Sequence, residues 1–356
     1  MQTRRDFVGS IAATGAALAL PFPVEAASTG MFVALNTSLT NNQVQWPEFA
    51  RLAARIGYGG ADFNLGTPMK DGAAATAELY LIERFLSEDR VKLLRESFPK
   101  LFAGNFDTGI YPDEWYWREG MSLPDVTRHM RNAWKADLIV ARLALSEDIG
   151  SVAPLLAGWR GARLAQDTIW WKAPHTKSIA YHQDSSFMDF LDPPLTVTCW
   201  ITLDDTHRDA GTLEYVPGSH LWPLTGMPEK FHSPDDYRAQ MKAAAVAVGI
   251  MPPEPVYVEV PSGSCVFHAG EVWHGSGPNV TADRMRRSIG IHMIPTNASF
   301  SERRGGYIYR RYQRTGDPSL DESFLPIVWS ADKLRTSWIE NYCETGLRQN
   351  SLEAFP

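Results

Sequence analysis

The sequence predicts a mainly β protein, a jelly roll or a similar double sheet with flanking helices. From about residue 163 onward the hydrophobic pattern has a period of two, which is typical of strands. Pro-Gly, Ser-Gly and Gly-Pro pairs separate these runs and mark turns. The chain also has 12 Trp, 12 Tyr, 16 Phe, 24 Pro and 27 Gly, a composition that favours a loop-rich fold with buried pockets.

Six segments carry the strand pattern. They are 178–182, 197–202, 212–216, 256–260, 264–268 and 287–293. Several short strands joined by turns are typical of jelly rolls. A helical stretch over 234–248 interrupts the series and is a candidate lid or crossover. Residues 79–150 are predicted to be mainly helical, and the first helix begins at Ser87-Glu88-Asp89 with Val91, Leu93 and Leu94 as its apolar face.

Length and composition limit the class of protein. The chain has 356 residues, 44% hydrophobic and 21% charged, so it can bury a large core and is not disordered in composition. Its net charge of −7 argues against non-specific binding of nucleic acid. Cys199, Cys265 and Cys343 are too few and too scattered for a disulfide framework or a thiolate zinc cluster. No apolar run reaches the roughly 18–20 residues of a membrane span.

Residues 1–27 have the three parts of an export signal. Arg4-Arg5 precedes a short apolar run at 11–20, and Ala26-Ala27 would suit cleavage. The twin arginine followed by Asp-Phe resembles a Tat signal, which directs export of folded proteins. The alternative is a disordered basic N-terminus. We expect a periplasmic or exported protein, and a cytoplasmic one if the signal is vestigial.

Residues 28–78 have one strand–helix–strand pattern. Apolar runs at 31–35 and 61–65 flank a helical period over 46–56. The segment resembles the first βα unit of xylose-isomerase-like sugar isomerase/epimerase TIM barrels, which need eight such units. We therefore predict a barrel fragment at 28–78, fused to a main domain at 79–356. The alternative is an N-terminal extension of the main domain itself.

The triplet His182-Gln183-Asp184 is a candidate metal-binding motif. Residues i and i+2 of a strand face the same side, so His182 and Asp184 can chelate one ion together. A third ligand must come from a distant strand. The candidates are His220, His268, His274 and His292. Two histidines and one carboxylate form the facial triad of non-haem Fe(II) oxygenases, and the absence of thiolate partners argues against structural zinc.

The segments around this triplet carry a family resemblance. They are 182–184, 198–205, 210–220, 263–268, 274–279 and 286–292. In this order they resemble the phytanoyl-CoA dioxygenase family of Fe(II)/2-oxoglutarate oxygenases, from about residue 79 to the C-terminus. The resemblance implies a double-stranded β-helix core, cupin-like, with Fe(II) bound by His182, Asp184 and His274. It favours His274 over His268 because His274 carries the His-Gly-Ser-Gly-x-Asn context.

The resemblance also implies an arginine for the co-substrate. The family places it about eleven residues beyond the distal histidine, to bind the far carboxylate of 2-oxoglutarate, but position 285 is Met. One inserted residue in the preceding turn makes Arg286 the first choice and Arg287 the second. The two alternate on a strand, so only one can face a pocket. Trp200 matches a family tryptophan that lines the co-substrate pocket, and the alternative is an ordinary core residue.

The implied activity is hydroxylation of a small organic substrate. 2-Oxoglutarate and O₂ would be consumed, with release of succinate and CO₂. Related halogenases lack the carboxylate ligand, so Asp184 points to hydroxylation or a related oxidation. The alternatives are a cupin-like metal enzyme that does not use 2-oxoglutarate, and a metal-free jelly-roll scaffold. The pattern identifies no particular substrate and does not fix the oligomeric state.

Overall fold

The computed structural model describes residues 79–302 and 308–346. The predicted export signal at 1–27 and the barrel-like fragment at 28–78 lie outside these residues. The described part of the domain predicted at 79–356 contains strands, helices and short 3₁₀ turns. Among the helices in that part, none is both long enough and apolar enough to cross a membrane.

The regular elements are numbered in chain order. The strands are β1 (Leu79–Ile82), β2 (Glu114–Trp115), β3 (Arg128–Arg131), β4 (Gly161–Lys172), β5 (Ile179–His182), β6 (Leu191–Asp192), β7 (Val197–Thr202), β8 (Leu213–Tyr215), β9 (Val256–Tyr257), β10 (Cys265–Ala269), β11 (His274–Ser276), β12 (Arg286–Pro295), β13 (Ser299–Phe300) and β14 (Ile327–Ser330). The helices are α1 (Glu88–Phe102), α2 (Leu138–Ala144), α3 (Glu147–Ala157), α4 (Ala239–Ala247) and α5 (Ile339–Thr345).

Two antiparallel sheets form the predicted jelly roll. In the described residues the larger sheet has the order β1-β10-β7-β12-β4-β3-β2, with β14 also paired to β4. The smaller sheet has the order β5-β11-β8-β9. Side chains of the two sheets meet in the interior, where the Tyr215 hydroxyl of β8 lies 2.9 Å from Nδ1 of His268 on β10. The prediction of a mainly β, cupin-like core is confirmed.

Strand alternation separates the main core from the interior of the jelly roll. Along β7, Cys199 and Ile201 belong to the hydrophobic cluster that the larger sheet shares with the helices. Thr198 and Trp200 point the other way, toward the smaller sheet, because successive side chains of a strand face opposite sides. The interior between the sheets therefore receives Thr198 and Trp200 of this strand, and it contains the candidate site.

Helix α1 covers the outer face of the larger sheet. Ser87 caps it, since its Oγ accepts a hydrogen bond from the Arg90 backbone N–H at 3.4 Å. Val91 and Leu94 are buried as predicted, but Leu93 is 46% exposed. At 100° per residue Leu93 lies on the opposite side of the helix from Val91, so the prediction for Leu93 was wrong.

The structure corrects several predicted elements, and the strand predicted over 256–260 is shortened to Val256–Tyr257. Residues 79–150 contain strands β1, β2 and β3 as well as helices, so they are not mainly helical. Strand β4 is 12 residues long and was not among the predicted segments, because it is buried on both faces and lacks a clear alternation. The helix predicted over 234–248 begins only at Ala239.

Candidate metal centre

Two neighbouring strands of the smaller sheet bring the predicted ligands together. His182 ends β5, His274 begins β11, and the two residues are direct partners across the antiparallel pair. Asp184 opens a 3₁₀ turn directly after β5, so it lies just beyond the strand rather than on it. One ligand atom from each of the three residues lies within 4.8 Å of the others, and all three residues are buried.

Backbone carbonyls fix the orientation of both histidine rings. Nδ1 of His182 lies 2.9 Å from the Ala180 carbonyl, and Nδ1 of His274 lies 3.0 Å from the Val272 carbonyl. A carbonyl can only accept, so each Nδ1 carries the hydrogen and each neutral ring has a bare Nε2. The two Nε2 atoms face Oδ1 of Asp184 at 3.4 and 3.6 Å.

The second carboxylate oxygen of Asp184, Oδ2, is bound by side chains of the larger sheet. Oδ2 accepts a 2.6 Å hydrogen bond from the Thr198 hydroxyl and lies 3.0 Å from Nε2 of His268. Burial alone would raise the pKa of Asp184, but the histidines and hydrogen-bond donors that surround the carboxylate hold that pKa well below its usual range. The group is therefore a carboxylate whose Oδ2 is engaged and whose Oδ1 faces the two imidazoles.

This donor set fits a divalent cation. Two imidazole nitrogens and one carboxylate oxygen converge without a hydrogen between them, an arrangement that is repulsive unless a positive charge lies at its centre. Burial lowers the pKa of His274 well below its usual value, so that ring does not supply the charge as an imidazolium. Two histidines and one carboxylate suit Fe(II) and leave coordination positions open for further ligands.

The other two candidate histidines near the centre have different positions. His268, on β10 of the larger sheet, reaches only the far oxygen of Asp184. His292, on β12, lies with Nδ1 2.8 Å from the Thr198 hydroxyl and 3.4 Å from Asp184 Oδ2. His220 lies in a separate 3₁₀ turn and is not part of the metal-ligand group found in the described residues.

Arg286 and Arg287 face opposite sides of β12. Arg286 is 2% exposed, and its guanidinium donates to the Gly211 carbonyl at 3.2 Å and to the hydroxyls of Ser276 and Ser288 at 3.0 and 2.7 Å. Burial lowers the pKa of Arg286 to about 10. Arg287 points away from the interior and binds Asp204 through two side-chain hydrogen bonds of 3.0 and 2.7 Å.

The hydrogen bonds of Arg286 leave two N–H groups of its guanidinium unused, and we call this pair the open fork. A guanidinium has five N–H groups, and the three bonds above use Nε and one hydrogen on each terminal nitrogen. One N–H remains on each terminal nitrogen, which is the pattern that binds a carboxylate with two parallel hydrogen bonds. No carboxylate of the described residues lies within ion-pair distance of this guanidinium.

Trp200 shares the inner face of β7 with Thr198. Its side chain is 3% exposed and packs in a cluster that includes Leu213 and Tyr215. This position is compatible both with lining a co-substrate pocket and with a core role, so its predicted function stays a prediction.

Sequence reasoning missed several residues of the interior. Thr198 could have been found, since it lies two residues before Trp200 on the same strand face. Lys172, the partner of Arg286 across β4 and β12, is fully buried and donates to the Gly277 carbonyl at 2.5 Å and the Lys177 carbonyl at 2.8 Å. Burial lowers its pKa well below the usual value. No sequence pattern distinguishes such a lysine from a solvated one.

The fold and the site together define a class, the cupin-like jelly rolls that gather a histidine–carboxylate–histidine group in their interior. The chain belongs to the phytanoyl-CoA dioxygenase family (PhyH), which matches residues 79–288. It is 28% identical over 185 residues to Dioxygenase trt7 of Aspergillus terreus, covering 48% of this chain and 55% of the relative. It is 27% identical over 134 residues to the peroxisomal phytanoyl-CoA dioxygenase of Rattus norvegicus, covering 35% of this chain and 36% of that relative.

The chain spans about half the length, or less, of these curated relatives. Among solved structures it resembles the non-heme alpha ketoglutarate dependent epimerase SnoN from nogalamycin biosynthesis, with a TM-score of 0.56, 21% identity, and coverage of 80% of this chain and 100% of the other. It also resembles EctD from S. alaskensis with 2-oxoglutarate and 5-hydroxyectoine, with a TM-score of 0.54, 17% identity, and coverage of 80% and 90%. At these identities the likeness supports the fold.

Proposed function

We propose that this protein is a non-haem Fe(II)- and 2-oxoglutarate-dependent dioxygenase that hydroxylates a small organic substrate and releases succinate and CO₂. The observation that carries the proposal is the pairing of two features in one interior. Three bare donor atoms of His182, Asp184 and His274 converge at one place. The same interior holds the open guanidinium fork of Arg286. A keto acid with a distal carboxylate could bind the metal through its keto-acid end and Arg286 through its distal carboxylate.

His182, Asp184 and His274 would hold the iron. When bound, Fe(II) with 2-oxoglutarate and O₂ supplies the oxidising power for a C–H bond. The protein limits how Asp184 binds: Thr198 and His268 occupy Oδ2, so only Oδ1 is free for the metal. A carboxylate that binds through one oxygen leaves more positions open than one that binds through both.

Arg286 is the proposed partner of the distal carboxylate of 2-oxoglutarate. Ser276, Ser288 and the Gly211 carbonyl hold the guanidinium in place before any ligand arrives. Arg287, the second choice, forms an ion pair with Asp204 on the other face of the strand, which supports the choice of Arg286. A lysine at 286 would not reproduce the planar fork. We also propose that Trp200 lines the co-substrate pocket.

The activities and ligands of similar proteins support this proposal. The relative from Aspergillus terreus is described as a dioxygenase, and the rat protein as a phytanoyl-CoA dioxygenase. SnoN was solved in complex with Fe3+, alpha ketoglutarate and a nogalamycin compound, and EctD with 2-oxoglutarate and 5-hydroxyectoine. These ligands combine a metal, a keto acid and a small organic molecule, as the interior of this chain would require.

An anaerobic titration tests the proposal. Purified protein receives Fe(II) and then 2-oxoglutarate while the visible absorption is recorded. We expect a new charge-transfer band on adding 2-oxoglutarate, weakened in Arg286→Ala and retained in the matched control Arg287→Ala. A band lost only in Arg287→Ala would reverse the assignment of the two arginines. Bound iron without a band would favour a metal enzyme that does not use 2-oxoglutarate, and a failure to bind iron would favour a metal-free scaffold.

We further propose that the chain is exported through its Tat-like signal, and that 28–78 is a barrel fragment ahead of a catalytic domain at 79–356. The sequence of residues 1–27 and the match of the family from residue 79 onward support these divisions. N-terminal sequencing of the protein from periplasmic and cytoplasmic fractions tests export. Cleavage after Ala26 or Ala27 in the periplasmic fraction is expected, and an intact chain confined to the cytoplasm would show that the signal is vestigial.

A further inference from the structure

Two histidines outside the metal centre stack on one another between the two sheets. His129, on β3 of the larger sheet, is the direct partner of Trp170 on β4 and is 1% exposed. His232 lies beside β5, the first strand of the smaller sheet, where it pairs with Ile179. The ring centroids of His129 and His232 are 4.8 Å apart, and the planes of the rings differ by only 8°. The two rings therefore form one surface that joins the sheets.

Each of these rings has a buried nitrogen without a partner. Nδ1 of His129 and Nδ1 of His232 are buried and have no hydrogen-bond partner among the residues that the structure describes. Buried polar atoms of folded proteins are in the large majority hydrogen-bonded, to the protein or to a bound molecule. Neither histidine belongs to the metal-ligand group of His182, Asp184 and His274, so the metal does not supply the missing partners. The two nitrogens indicate a further bound group.

The neighbours of His129 determine which of its nitrogens carries the hydrogen. Nε2 lies 3.1 Å from Oε2 of Glu114, and Nε of Arg131 lies 3.3 Å from the same oxygen. A carboxylate beside a guanidinium is ionised and can only accept, so Nε2 of His129 must donate. Burial lowers the pKa of His129 below its usual value, which leaves the ring neutral and with one hydrogen only. Nδ1 of His129 is therefore a bare acceptor that requires a donor.

The ring of His232 is also neutral. Burial lowers the pKa of His232 to about 3, and the positive charges of Arg131 and Lys172 add to this effect. A neutral imidazole has one N–H and one bare nitrogen, so Nδ1 of His232 donates or accepts according to the group that it meets. An ammonium ligand would add a further positive charge beside the two cations. The pair therefore favours an uncharged group that has a hydrogen to donate.

2-Oxoglutarate does not fit this pair, because its carboxylates and its keto group are all acceptors. A hydroxyl group fits, since it can donate its hydrogen to Nδ1 of His129 and accept one from Nδ1 of His232. Two hydrogen bonds of about 2.8 Å to one oxygen can span the 4.8 Å between the ring centroids. We propose that His129 and His232 bind a hydroxyl group of the organic substrate. This rests on the proposed function, because it takes the molecule bound beside the metal as the substrate.

An aromatic wall connects the pair to the metal centre. The ring of Phe231 lies 5.0 Å from that of His232 and 5.0 Å from that of His182, a candidate metal ligand. The ring of Trp170 lies 4.9 Å from that of His129 and 6.2 Å from that of Phe231. The two distances from Phe231 limit the separation of the His232 and His182 rings to about 10 Å. The substrate class is therefore an alcohol with an apolar or aromatic body, whose hydroxyl is several carbons away from the position beside the metal.

3-Phenylpropan-1-ol and butylbenzene test the subsite, because they differ only by a hydroxyl in place of a methyl group. The full chain is loaded anaerobically with Fe(II) and 2-oxoglutarate, and the dissociation constant of each probe is measured by equilibrium dialysis, which does not depend on an absorption band. In His129→Gln the amide N–H can reach Glu114 in the place of Nε2, but no acceptor lies at the position of Nδ1. We expect the preference for the alcohol over the hydrocarbon to fall about tenfold in this variant.

Three further variants complete the test. His232→Phe keeps a ring against Tyr116, whose centroid is 3.9 Å away, and removes Nδ1, so it should reduce the preference to a similar extent. His129→Asn places an amide oxygen near the position of Nδ1 and loses the bond to Glu114, so it should keep most of the preference. The matched control His207→Gln, on the loop before a 3₁₀ turn, should leave the preference within about twofold of the wild type.

The outcomes separate this inference from the function on which it rests. Loss of the preference in His129→Gln and His232→Phe, with the preference kept in His129→Asn, is the result expected. A wild type without any preference for the alcohol would overturn the subsite, and an equal loss in His129→Gln and His129→Asn would reduce His129 to a structural support of Glu114. Weaker 2-oxoglutarate binding in His129→Gln with an unchanged preference would assign the pair to the co-substrate instead. A wild type that prefers the alcohol but shows no charge-transfer band on adding 2-oxoglutarate would overturn the proposed function itself.

Discussion

Arg286→Lys should weaken 2-oxoglutarate binding without disturbing the metal centre. The substitution keeps the positive charge in the buried interior but replaces the planar fork with a single ammonium group. In the structure three protein acceptors hold the guanidinium, and one N–H group on each terminal nitrogen is left unused. Lysine has three donors on one atom, so the same three acceptors would compete with the ligand for all of them.

The magnitude follows from the bonds that are lost. A hydrogen bond between charged groups contributes about 1.5–3 kcal/mol, and the lysine loses at least one of the two bonds to the carboxylate. The expected change of about 2 kcal/mol corresponds to a roughly 30-fold higher dissociation constant for 2-oxoglutarate. Arg287→Lys is the matched control, because Arg287 and its partner Asp204 lie on the opposite face of the strand.

The assay is a 2-oxoglutarate titration of the Fe(II) protein under anaerobic conditions, preceded by a titration of Fe(II) alone. We expect unchanged iron affinity in both variants and weaker 2-oxoglutarate binding only in Arg286→Lys. Equal weakening in both variants, or weakening only in Arg287→Lys, would refute the reasoning from strand alternation and from the open fork.

Two further predictions concern the support of the site and the stability of the fold. His268→Phe removes the contact behind Asp184 Oδ2 and should lower Fe(II) affinity about 10- to 100-fold, with recovery in His268→Gln, whose amide N–H can reach Asp184. Equal affinity in wild type and His268→Phe would contradict it. Burial raises the pKa of Asp167 from 3.8 to about 7, although the hydrogen bonds that its carboxylate accepts from the backbone N–H groups of Trp134 and Ala133 act to lower that pKa. Because the folded state holds this proton more tightly, its stabilising contribution is complete below pH 3.8 and disappears as the pH rises through about 7. Urea unfolding at pH 5 and pH 8 should show that the free energy of unfolding falls more in the wild type than in Asp167→Asn. The difference should not exceed about 1.4 kcal/mol per pH unit. An equal fall in the two proteins would disprove the assignment.

Sequence patterns indicated the fold class because strand periodicity is a local property. Strand β7 has the bounds predicted for it, since apolar and polar residues alternate where one face meets the helices and the other faces the interior. The same rule failed for β4, whose two faces are both buried and so show no alternation. Leu93 was misplaced because nearness in sequence to Val91 does not put two residues on one face of a helix.

The type of site was also indicated locally. His182 and Asp184 are two residues apart, so any extended backbone brings them near one another whatever the remainder of the chain does. The sequence therefore determined two candidate ligands, the choice of histidine and carboxylate chemistry, and the presence of an arginine pair at the start of a strand. The family resemblance supplied the preference for His274 and for Arg286.

Only the tertiary structure decided which distant groups meet. His274 lies beside His182 because β5 and β11 are paired in one register, whereas His268 is on the other sheet and reaches the opposite oxygen of the same carboxylate. Arg286 faces the interior because the pleat of β12 turns it away from Asp204, the partner of Arg287. Long-range strand pairing sets these distances. The hydrogen-bond chain through Thr198 to His292 exists only once three strands have come together, so no local pattern records it.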